Sequence, residues 1–317
     1  MFGFFKMNTV LFDIFDAFYQ TKRMLTHWIY HLYKKMYTIL GYRRRILFTE
    51  TVLITGAASG IGKMLAKKLA EEHFCRVILW DIDSEKLEES IHDIQSTLVY
   101  GYCVDISDRK QVYHTAKLVE REIGNVTILI NNAAIVPSET FFAPFSNDEN
   151  CLKTIHVNLL GTMWTCKAFL PKMIENQRGH LVTIASAAGM IGANGLSEYC
   201  ASKFGCIGFH ESIQAELHVA GLSEKVKTTL VNPYYIDTGM FHGVRVKNDL
   251  FLPILKQETV VEKIVEGILC NQKVICIPNL IYFVPLFKLL PPSLYLPVMN
   301  FFGVNQSMKF FEKIRKY

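Results

Sequence analysis

A CxxC pair is missing from the sequence, although eight cysteines are scattered along its 317 residues. Spacings typical of a zinc site are missing as well, and no metal ligand is predicted. In a chain this long, scattered cysteines are typical of reduced core residues, which indicates a protein that faces the cytosol. The sequence also lacks an RNA-binding signature and basic heptads, so we expect no nucleic-acid partner.

Charged residues are scarce, at 20% of the chain against 50% apolar residues, and this balance indicates contact with a membrane. The positive charge is concentrated at the N-terminus. Residues 1–48 hold eight Lys and Arg and two Asp, a difference of +6, whereas the whole chain carries +5. A basic segment that is also rich in aromatic residues is expected to bind an anionic lipid surface.

An uninterrupted apolar stretch is missing from the same segment. Charges or histidines interrupt every window of about 18 residues, which argues against a spanning helix, and no secretory cleavage pattern follows. Apolar residues at helical spacing between positions 9 and 40 favour a basic amphipathic helix that lies in the lipid interface. The alternative is an N-terminal helix packed on the protein's own domain.

The C-terminal end is almost free of charge. Residues 274–304 contain one charged residue, Lys288, and five prolines, so they do not form one regular helix. We expect a broken hydrophobic lid over a substrate pocket, a second membrane contact or both; a buried C-terminal core is the alternative. The predicted parts of the chain are a membrane-associating segment at 1–48, one domain at 49–278 and a hydrophobic extension at 279–317.

Between the two ends, short runs rich in β-branched residues alternate with helical stretches. The predicted strands are 51–55, 76–80, 98–104, 127–131, 180–185, 226–232 and 273–277. This alternation predicts an α/β fold with a doubly wound (Rossmann) seven-stranded parallel sheet, covered by helices on both faces. No internal linker is visible, so we expect a single domain that follows the N-terminal amphipathic membrane segment.

A glycine-rich motif follows the first predicted strand. The sequence TGAASGIG at 55–62 places Gly56, Gly60 and Gly62 between a strand and a helix. Glycines there let the backbone turn tightly and approach a pyrophosphate, while the amides at the start of the helix face the phosphates. The motif therefore predicts a dinucleotide site.

Asp81 ends the second predicted strand. Its separation from Gly62 along the sequence is the one at which a carboxylate commonly binds the adenosine ribose. Its charge would repel a 2′-phosphate, and neither Ser59 nor Ile82 supplies a cation to hold one. We therefore expect NAD as the cofactor in preference to NADP.

Taken together, the motifs resemble those of the short-chain dehydrogenase/reductase family. The resemblance rests on TGxxxGxG at 55–62, on NNAA at 131–134 where the family has NNAG, and on YxxxK at 199–203. A second departure is Tyr234, which stands where the family has glycine after a proline. The implied catalytic residues are Asn158, Ser186, Tyr199 and Lys203. The implied cofactor-binding residues are Thr55, Gly56, Ser59, Gly60, Ile61, Gly62, Asp81, Asp105, Ile106, Asn132, Ala133, Tyr199, Lys203, Pro233, Ile236 and Thr238.

The resemblance implies hydride transfer between a carbinol carbon and the nicotinamide, with Tyr199 handling the proton. Lys203 is expected to bring its ammonium near the Tyr199 oxygen, which favours the phenolate, and to hold the nicotinamide ribose. Ser186 is expected to hydrogen-bond the substrate oxygen, so Ser186 and Tyr199 are the predicted substrate-binding residues. Asn158 would position a water that links Lys203 to solvent.

Two segments, 187–198 and 239–256, are expected to form loops around the substrate. Together with the apolar C-terminus, their apolar side chains indicate a long apolar alcohol or ketone. These side chains are Met190, Ile191, Leu196, Met240, Phe241 and Phe251.

Three further stretches resemble the membrane-associated retinol dehydrogenase and 17β-hydroxysteroid dehydrogenase branch, especially its epidermal retinol dehydrogenase-like members: NPYYIDTGMFHGV, LPILKQETVVEKIVEGI and FFGVNQSM. The resemblance implies oxidation of all-trans-retinol to all-trans-retinal. A hydroxysteroid or other lipid alcohol is the near alternative. A non-catalytic scaffold on a membrane or lipid droplet is a different class, and the intact tetrad argues against it. We further expect a homodimer on the cytosolic side of the endoplasmic reticulum or the lipid droplet.

Overall fold

The computed structural model describes Met24, residues 45–137, Phe141, residues 148–247, Asp249 and residues 251–310. The predicted amphipathic segment at 1–48 therefore lies almost wholly outside the described residues, and the domain boundaries at 48 and 278 stay predictions. From Ile46 on, the described residues form one compact unit. Among the helices that the structure describes, none is long and apolar enough to cross a membrane.

Seven strands form one parallel sheet: β1 Thr51–Thr55, β2 Arg76–Asp81, β3 Val99–Cys103, β4 Ile128–Asn131, β5 Gly179–Ile184, β6 Val226–Pro233 and β7 Val274–Ile277. Their order is β3-β2-β1-β4-β5-β6-β7. The predicted seven-stranded parallel sheet is confirmed, and the end of each strand differs from the prediction by one residue at most.

Helices fill the connections between the strands: α1 Gly60–Glu71, α2 Ser84–Asp93, α3 Arg109–Glu122, α4 Asp148–Ile155, α5 Gly161–Glu175, α6 Ser197–Val219 and α7 Gln257–Leu269. A π-helical turn, His156–Leu160, joins α4 to α5. After β7, a 3₁₀ turn at Asn279–Phe283 leads into two short helices, α8 Val284–Phe287 and α9 Pro292–Phe301.

The central strands are apolar on both faces, which is why they pair in parallel beneath two layers of helices. In β1, successive residues point to opposite faces. Ile54 packs in the cluster that contains Leu65 of α1 and Ile264 of α7. Leu53 packs in the other cluster, with Phe169 of α5. The central strand is therefore sealed from water on both sides.

The strand order reverses between β1 and β4, which are neighbours in space but not in sequence. The connection after β1 runs to one face of the sheet and the connection after β4 to the other. A crevice consequently opens at the carboxyl ends of these two strands, where open parallel sheets bind their ligands.

Candidate active site

The glycine loop after β1 is packed too closely to admit side chains. Gly56 has φ +64°, and a Cβ atom there would lie 2.8 Å from the Cα atom of Ala133. A Cβ atom at Gly62 would lie 2.1 Å from the carbonyl oxygen of Gly56. Both contacts are with backbone, which cannot give way cheaply, so the loop requires glycine at these two positions.

Thr55 ties the glycine loop to the end of β4. Its buried Oγ1 accepts hydrogen bonds from the amides of Asn132 at 3.0 Å and Ala133 at 3.1 Å. The Asn132 side chain donates in return to the carbonyl oxygens of Thr55 at 2.9 Å and Gly56 at 3.0 Å. Thr55 therefore lies behind the crevice and acts on it through its neighbours.

Asp81 ends β2 with its carboxylate held in a fixed orientation. One oxygen accepts the amide of Ala58 at 2.9 Å and the other accepts the amide of Asp83 at 3.1 Å. Each oxygen keeps acceptor capacity for a further donor. Lys86 lies at the same end of the crevice and forms an ion pair with Asp83. This cation lies in the first turn of α2, four residues beyond Ile82.

Asp105 and Ile106 follow β3, the neighbour of β2 in the sheet, and line the same crevice. One carboxylate oxygen of Asp105 accepts the amide of Ser107 at 2.9 Å and its hydroxyl at 2.7 Å. Ile106 is buried and packs on the backbone of Gly161, where a Cβ atom would meet its side chain at 2.8 Å. The small residue at the start of α5 thus lets Ile106 reach the crevice.

Tyr199 and Lys203 lie on the inner face of α6 and are 4% and 3% exposed. The Lys203 ammonium donates to the carbonyl oxygen of Ile184 at 3.0 Å and lies 5.7 Å from the centre of the Tyr199 ring. Burial raises the pKa of the Tyr199 phenol, and its hydrogen bond with Ser186 acts in the opposite direction. Burial lowers the pKa of Lys203. Both shifts favour neutral forms, so a phenolate here requires further positive charge.

Ser186 directly follows β5 and faces the same space. Its Oγ accepts the amide of Ala188 at 3.1 Å, which caps a short 3₁₀ turn and fixes the side chain. The Ser186 hydroxyl also donates to the carbonyl oxygen of Pro233 at 3.5 Å and forms a hydrogen bond with Tyr199 of α6.

Asn158 is buried in the π-helical turn and does not line the crevice. Its side chain bonds both backbone groups of Ile135, accepting the amide at 2.8 Å and donating to the carbonyl at 2.9 Å, and donates to Ser202 Oγ at 3.0 Å. The backbone carbonyl oxygen of Asn158 accepts hydrogen bonds from Thr162 Oγ1 at 2.9 Å and Cys206 Sγ at 3.1 Å. Asn158 thereby ties the β4 loop to α6. The water assigned to it stays a prediction.

A cavity of about 790 Å³ joins these features. The sequence-predicted residues that line it are Gly56, Ser59, Gly60, Ile61, Asp81, Asp105, Ile106, Asn132, Ala133, Ser186, Tyr199, Lys203, Pro233, Ile236 and Thr238. Thr55, Gly62 and Asn158 do not line it. The cavity has a polar end at the glycine loop and Asp81, and an apolar end beyond Tyr199.

The apolar end contains many residues that the sequence did not assign to the substrate individually. They come from the loop after β6 and from the C-terminal extension: Tyr234, Tyr235, Leu252, Leu280, Ile281, Val284, Phe287, Tyr295, Val298, Met299, Phe302 and Val304. The helical spacing of residues 295, 298, 299 and 302, which places them on one side of α9 and its C-terminal end, is the sequence pattern that could have indicated several of them. Of the six apolar residues predicted around the substrate, Ile191, Leu196, Met240 and Phe241 line the cavity, whereas Met190 and Phe251 do not.

Fold and site together define a Rossmann-type oxidoreductase domain with a dinucleotide crevice and an adjoining apolar chamber. Residues 50–249 match the profile of the family described as short chain dehydrogenase, and the chain belongs to this family. It is 41% identical to human epidermal retinol dehydrogenase 2 over 285 residues, which cover 89% of this chain and 91% of that protein. It is 38% identical to retinol dehydrogenase 10 of Xenopus tropicalis over 297 residues, covering 84% and 86%.

A solved structure has the same fold. It is a short chain dehydrogenase/reductase from Burkholderia phymatum in complex with NAD, 23% identical, with a TM-score of 0.68 over 77% of this chain and 94% of that one.

Proposed function

We propose that this protein is an NAD-dependent dehydrogenase that oxidises a membrane-soluble alcohol, most specifically all-trans-retinol to all-trans-retinal. The observation that carries the proposal is the single cavity in which the tyrosine, the serine and the lysine stand between a glycine loop and an apolar chamber. The names of the two relatives, both retinol dehydrogenases, support the choice of alcohol.

NAD fits the polar end of the cavity. The left-handed backbone of Gly56 and Gly60 exposes amides next to the start of α1, and Ser59 makes no side-chain cap there, which leaves those amides to a pyrophosphate. The oriented carboxylate of Asp81 suits a ribose diol and disfavours a 2′-phosphate. When bound, NAD supplies the acceptor for the hydride that leaves the carbinol carbon.

Tyr199 is proposed as the base that takes the hydroxyl proton of the alcohol, so that the substrate leaves as the carbonyl compound. Its burial keeps the phenol protonated in the free protein. The ammonium of Lys203, fixed by the carbonyl of Ile184, contributes positive charge from 5.7 Å to the ring. The proposed role of Lys203 is therefore both to hold the ribose and to make proton transfer to Tyr199 less costly.

Ser186 is proposed to hold the substrate oxygen, because its hydroxyl is fixed beside Tyr199 and can follow the change from hydroxyl to carbonyl. Asn158 is proposed to act through other residues, since its side chain fixes Ile135 and Ser202 around the same site.

The membrane is the proposed partner, with the endoplasmic reticulum or the lipid droplet as location and a homodimer as the assembly. Support comes from the outer side of the C-terminal extension, where large apolar side chains are exposed. They are Phe283, Leu286, Leu289, Leu294 and Phe301, exposed by 53%, 61%, 80%, 56% and 59%. Exposed apolar surface of this extent is typical of an interaction site.

The catalytic proposal is tested by following NADH formation with membranes that contain the protein, using retinol and a panel of steroids. Tyr199→Phe should lower the rate by at least about 100-fold, whereas Tyr100→Phe, at an exposed position on β3, should leave it unchanged. Equal rates for wild type and Tyr199→Phe would refute the mechanism. If the protein oxidises none of the alcohols tested, the result would support the non-catalytic scaffold instead.

The membrane proposal is tested by fractionation. Deleting residues 1–48 should release the protein into the soluble fraction. If the shortened chain stays bound, Leu286→Asp and Leu289→Asp are added to it. Release by these two substitutions would identify the C-terminal extension as the membrane contact. If the shortened chain stays bound both with and without the two substitutions, the result would contradict the proposed lipid surface.

A further inference from the structure

The C-terminal extension is joined to the loop after β6 by a buried hydrogen bond. The Tyr235 hydroxyl lies 3.0 Å from Ser307 Oγ, and the two residues are 7% and 0% exposed. Ser307 Oγ donates its proton to the carbonyl oxygen of Val304 at 2.8 Å. A serine has one hydroxyl proton, so Tyr235 is the donor and Ser307 the acceptor. Burial raises the pKa of Tyr235 to about 12, so the donor keeps its proton at neutral pH.

Tyr235 also connects to the proposed base through a series of rings. It packs edge-on against Phe241 with centroids 5.1 Å apart, and Phe241 packs edge-on against Tyr199 at 5.9 Å. The hydrogen bond to Ser307 therefore fixes the far end of a row of aromatic rings that starts at the reacting centre.

Residues of α9 and of the turn that follows it, on the N-terminal side of Ser307, form the outer wall of the apolar chamber. These are Tyr295, Val298, Met299, Phe302 and Val304. Within α9, Met299 is the buried residue, and the opposite side of the helix is exposed. Tyr295, Phe302 and Val304 also pack against the core, and Asn194 and the amide of Arg245 donate to the carbonyl oxygens of Asn305 and Ser307. The Tyr235–Ser307 pair adds a buried side-chain hydrogen bond to these contacts, so its removal leaves a buried hydroxyl without its partner and loosens the end of the wall.

We propose that Tyr235 and Ser307 are a positioning pair that holds the C-terminal extension in place as the wall of the substrate chamber. The proposal rests on the proposed alcohol oxidation and assigns the pair to binding of the apolar part of the substrate. It gives the pair no part in proton or hydride transfer, because the Tyr235 hydroxyl is committed to Ser307.

The test compares Tyr235→Phe and Ser307→Ala with wild type. The first keeps the ring and its contact with Phe241, and the second removes the acceptor together with the Ser307 hydrogen bond to Val304. Each should raise the KM for all-trans-retinol about tenfold, while kcat stays within about twofold. The double variant should be no worse than Ser307→Ala alone, because the interaction that Tyr235→Phe removes is already absent from it.

Tyr282→Phe is the matched control. Tyr282 belongs to the same extension, and its hydroxyl donates to the carbonyl oxygen of Val274 at 2.9 Å, but it does not line the cavity. Its substitution should leave the KM for retinol unchanged. A second readout needs no turnover: hydrogen exchange of the amides in Pro292–Phe301 should accelerate in Tyr235→Phe and not in Tyr282→Phe.

Unchanged exchange and unchanged KM in both test variants would overturn the proposal. Faster exchange with unchanged retinol binding would overturn the assignment to the substrate. A fall in kcat equal to the fall in kcat/KM would place Tyr235 in the chemistry and overturn a positioning role. If wild type does not oxidise retinol, the proposed function fails, and the exchange measurement still decides whether the pair holds the wall.

Discussion

His210 makes the attachment of α6 to β5 sensitive to acid. It lies seven residues beyond Lys203 on the inner side of the helix, 1% exposed, with Nδ1 2.9 Å from Thr183 Oγ1. In the described part of the chain, Nε2 has no hydrogen-bond partner. A second ring proton would be buried without an acceptor, so burial lowers the pKa of His210 from 6.5 to about 4.

The size and sign of the effect follow from these values. Between pH 6.5 and about 4 the unfolded chain binds a proton at this site and the folded chain does not, so the free energy of unfolding falls as the pH falls. A tenfold difference in proton affinity corresponds to about 1.4 kcal/mol, and the interval from 6.5 to about 4 therefore corresponds to about 3 kcal/mol. Above pH 6.5 the contribution of His210 is complete.

The assay is urea unfolding at a series of pH values through this interval, with wild type, His210→Gln and His218→Gln. Glutamine keeps a hydrogen bond to Thr183 and cannot titrate, so His210→Gln should lose about 3 kcal/mol less than wild type between pH 6.5 and 4. His218 is exposed on the same helix and controls for loss of an imidazole. Parallel pH dependences for wild type and His210→Gln would refute the reasoning.

Further predictions follow from the structure. Gly62→Ala should lower the free energy of unfolding by about 1–3 kcal/mol in thermal denaturation because its Cβ meets backbone at 2.1 Å, whereas Gly208→Ala, with nothing within 4 Å, should raise it by up to about 1 kcal/mol. Asp81→Ser should weaken NADH binding about tenfold and reduce the preference over NADPH, as measured by fluorescence titration. Lys203→Met should lower kcat/KM for the alcohol by about 100-fold. Because burial raises the pKa of Tyr199, oxidation by wild type should accelerate as the pH rises.

The sheet and the glycine loop were predictable because their signals are local. Parallel strands buried on both faces are continuous apolar runs, and Val52, Leu53 and Ile54 are each 0% exposed as such a run requires. The glycine spacing records backbone contacts that exclude a Cβ atom, as at Gly62. In both cases the physical constraint acts on neighbouring residues, so the sequence displays it directly.

The apolar chamber was not predictable in detail because its wall is apolar on both sides. In α9, Met299 faces the chamber and Phe301 faces outward, but both are large and hydrophobic. An amphipathic pattern distinguishes the two sides of a helix only when one side is polar. The sequence consequently left a lid, a membrane contact and a buried core as alternatives for this segment, and the fold decides which side chains turn inward.

The hydrogen-bond partners of the buried polar side chains were equally unpredictable from the sequence. The Lys203 ammonium was expected near the phenol of Tyr199, and it donates to the carbonyl of Ile184. The side chain of Asn158 bonds the backbone of Ile135, which the sequence did not indicate, and the water predicted beside Asn158 stays a prediction. Such contacts join residues far apart in the chain, and no local pattern encodes their geometry.

The helix α6, which carries Tyr199, is fastened to the sheet by polar contacts as well as by buried apolar side chains. Ser202 accepts a hydrogen bond from the side chain of Asn158. Lys203 donates to the carbonyl oxygen of Ile184, and His210 is hydrogen-bonded to Thr183. Each buried polar group costs free energy unless it is hydrogen-bonded, so each admits few geometries. The hydrogen bonds at Ser202, Lys203 and His210 therefore constrain both the height and the rotation of the helix, and with them the place of the Tyr199 hydroxyl beside Ser186.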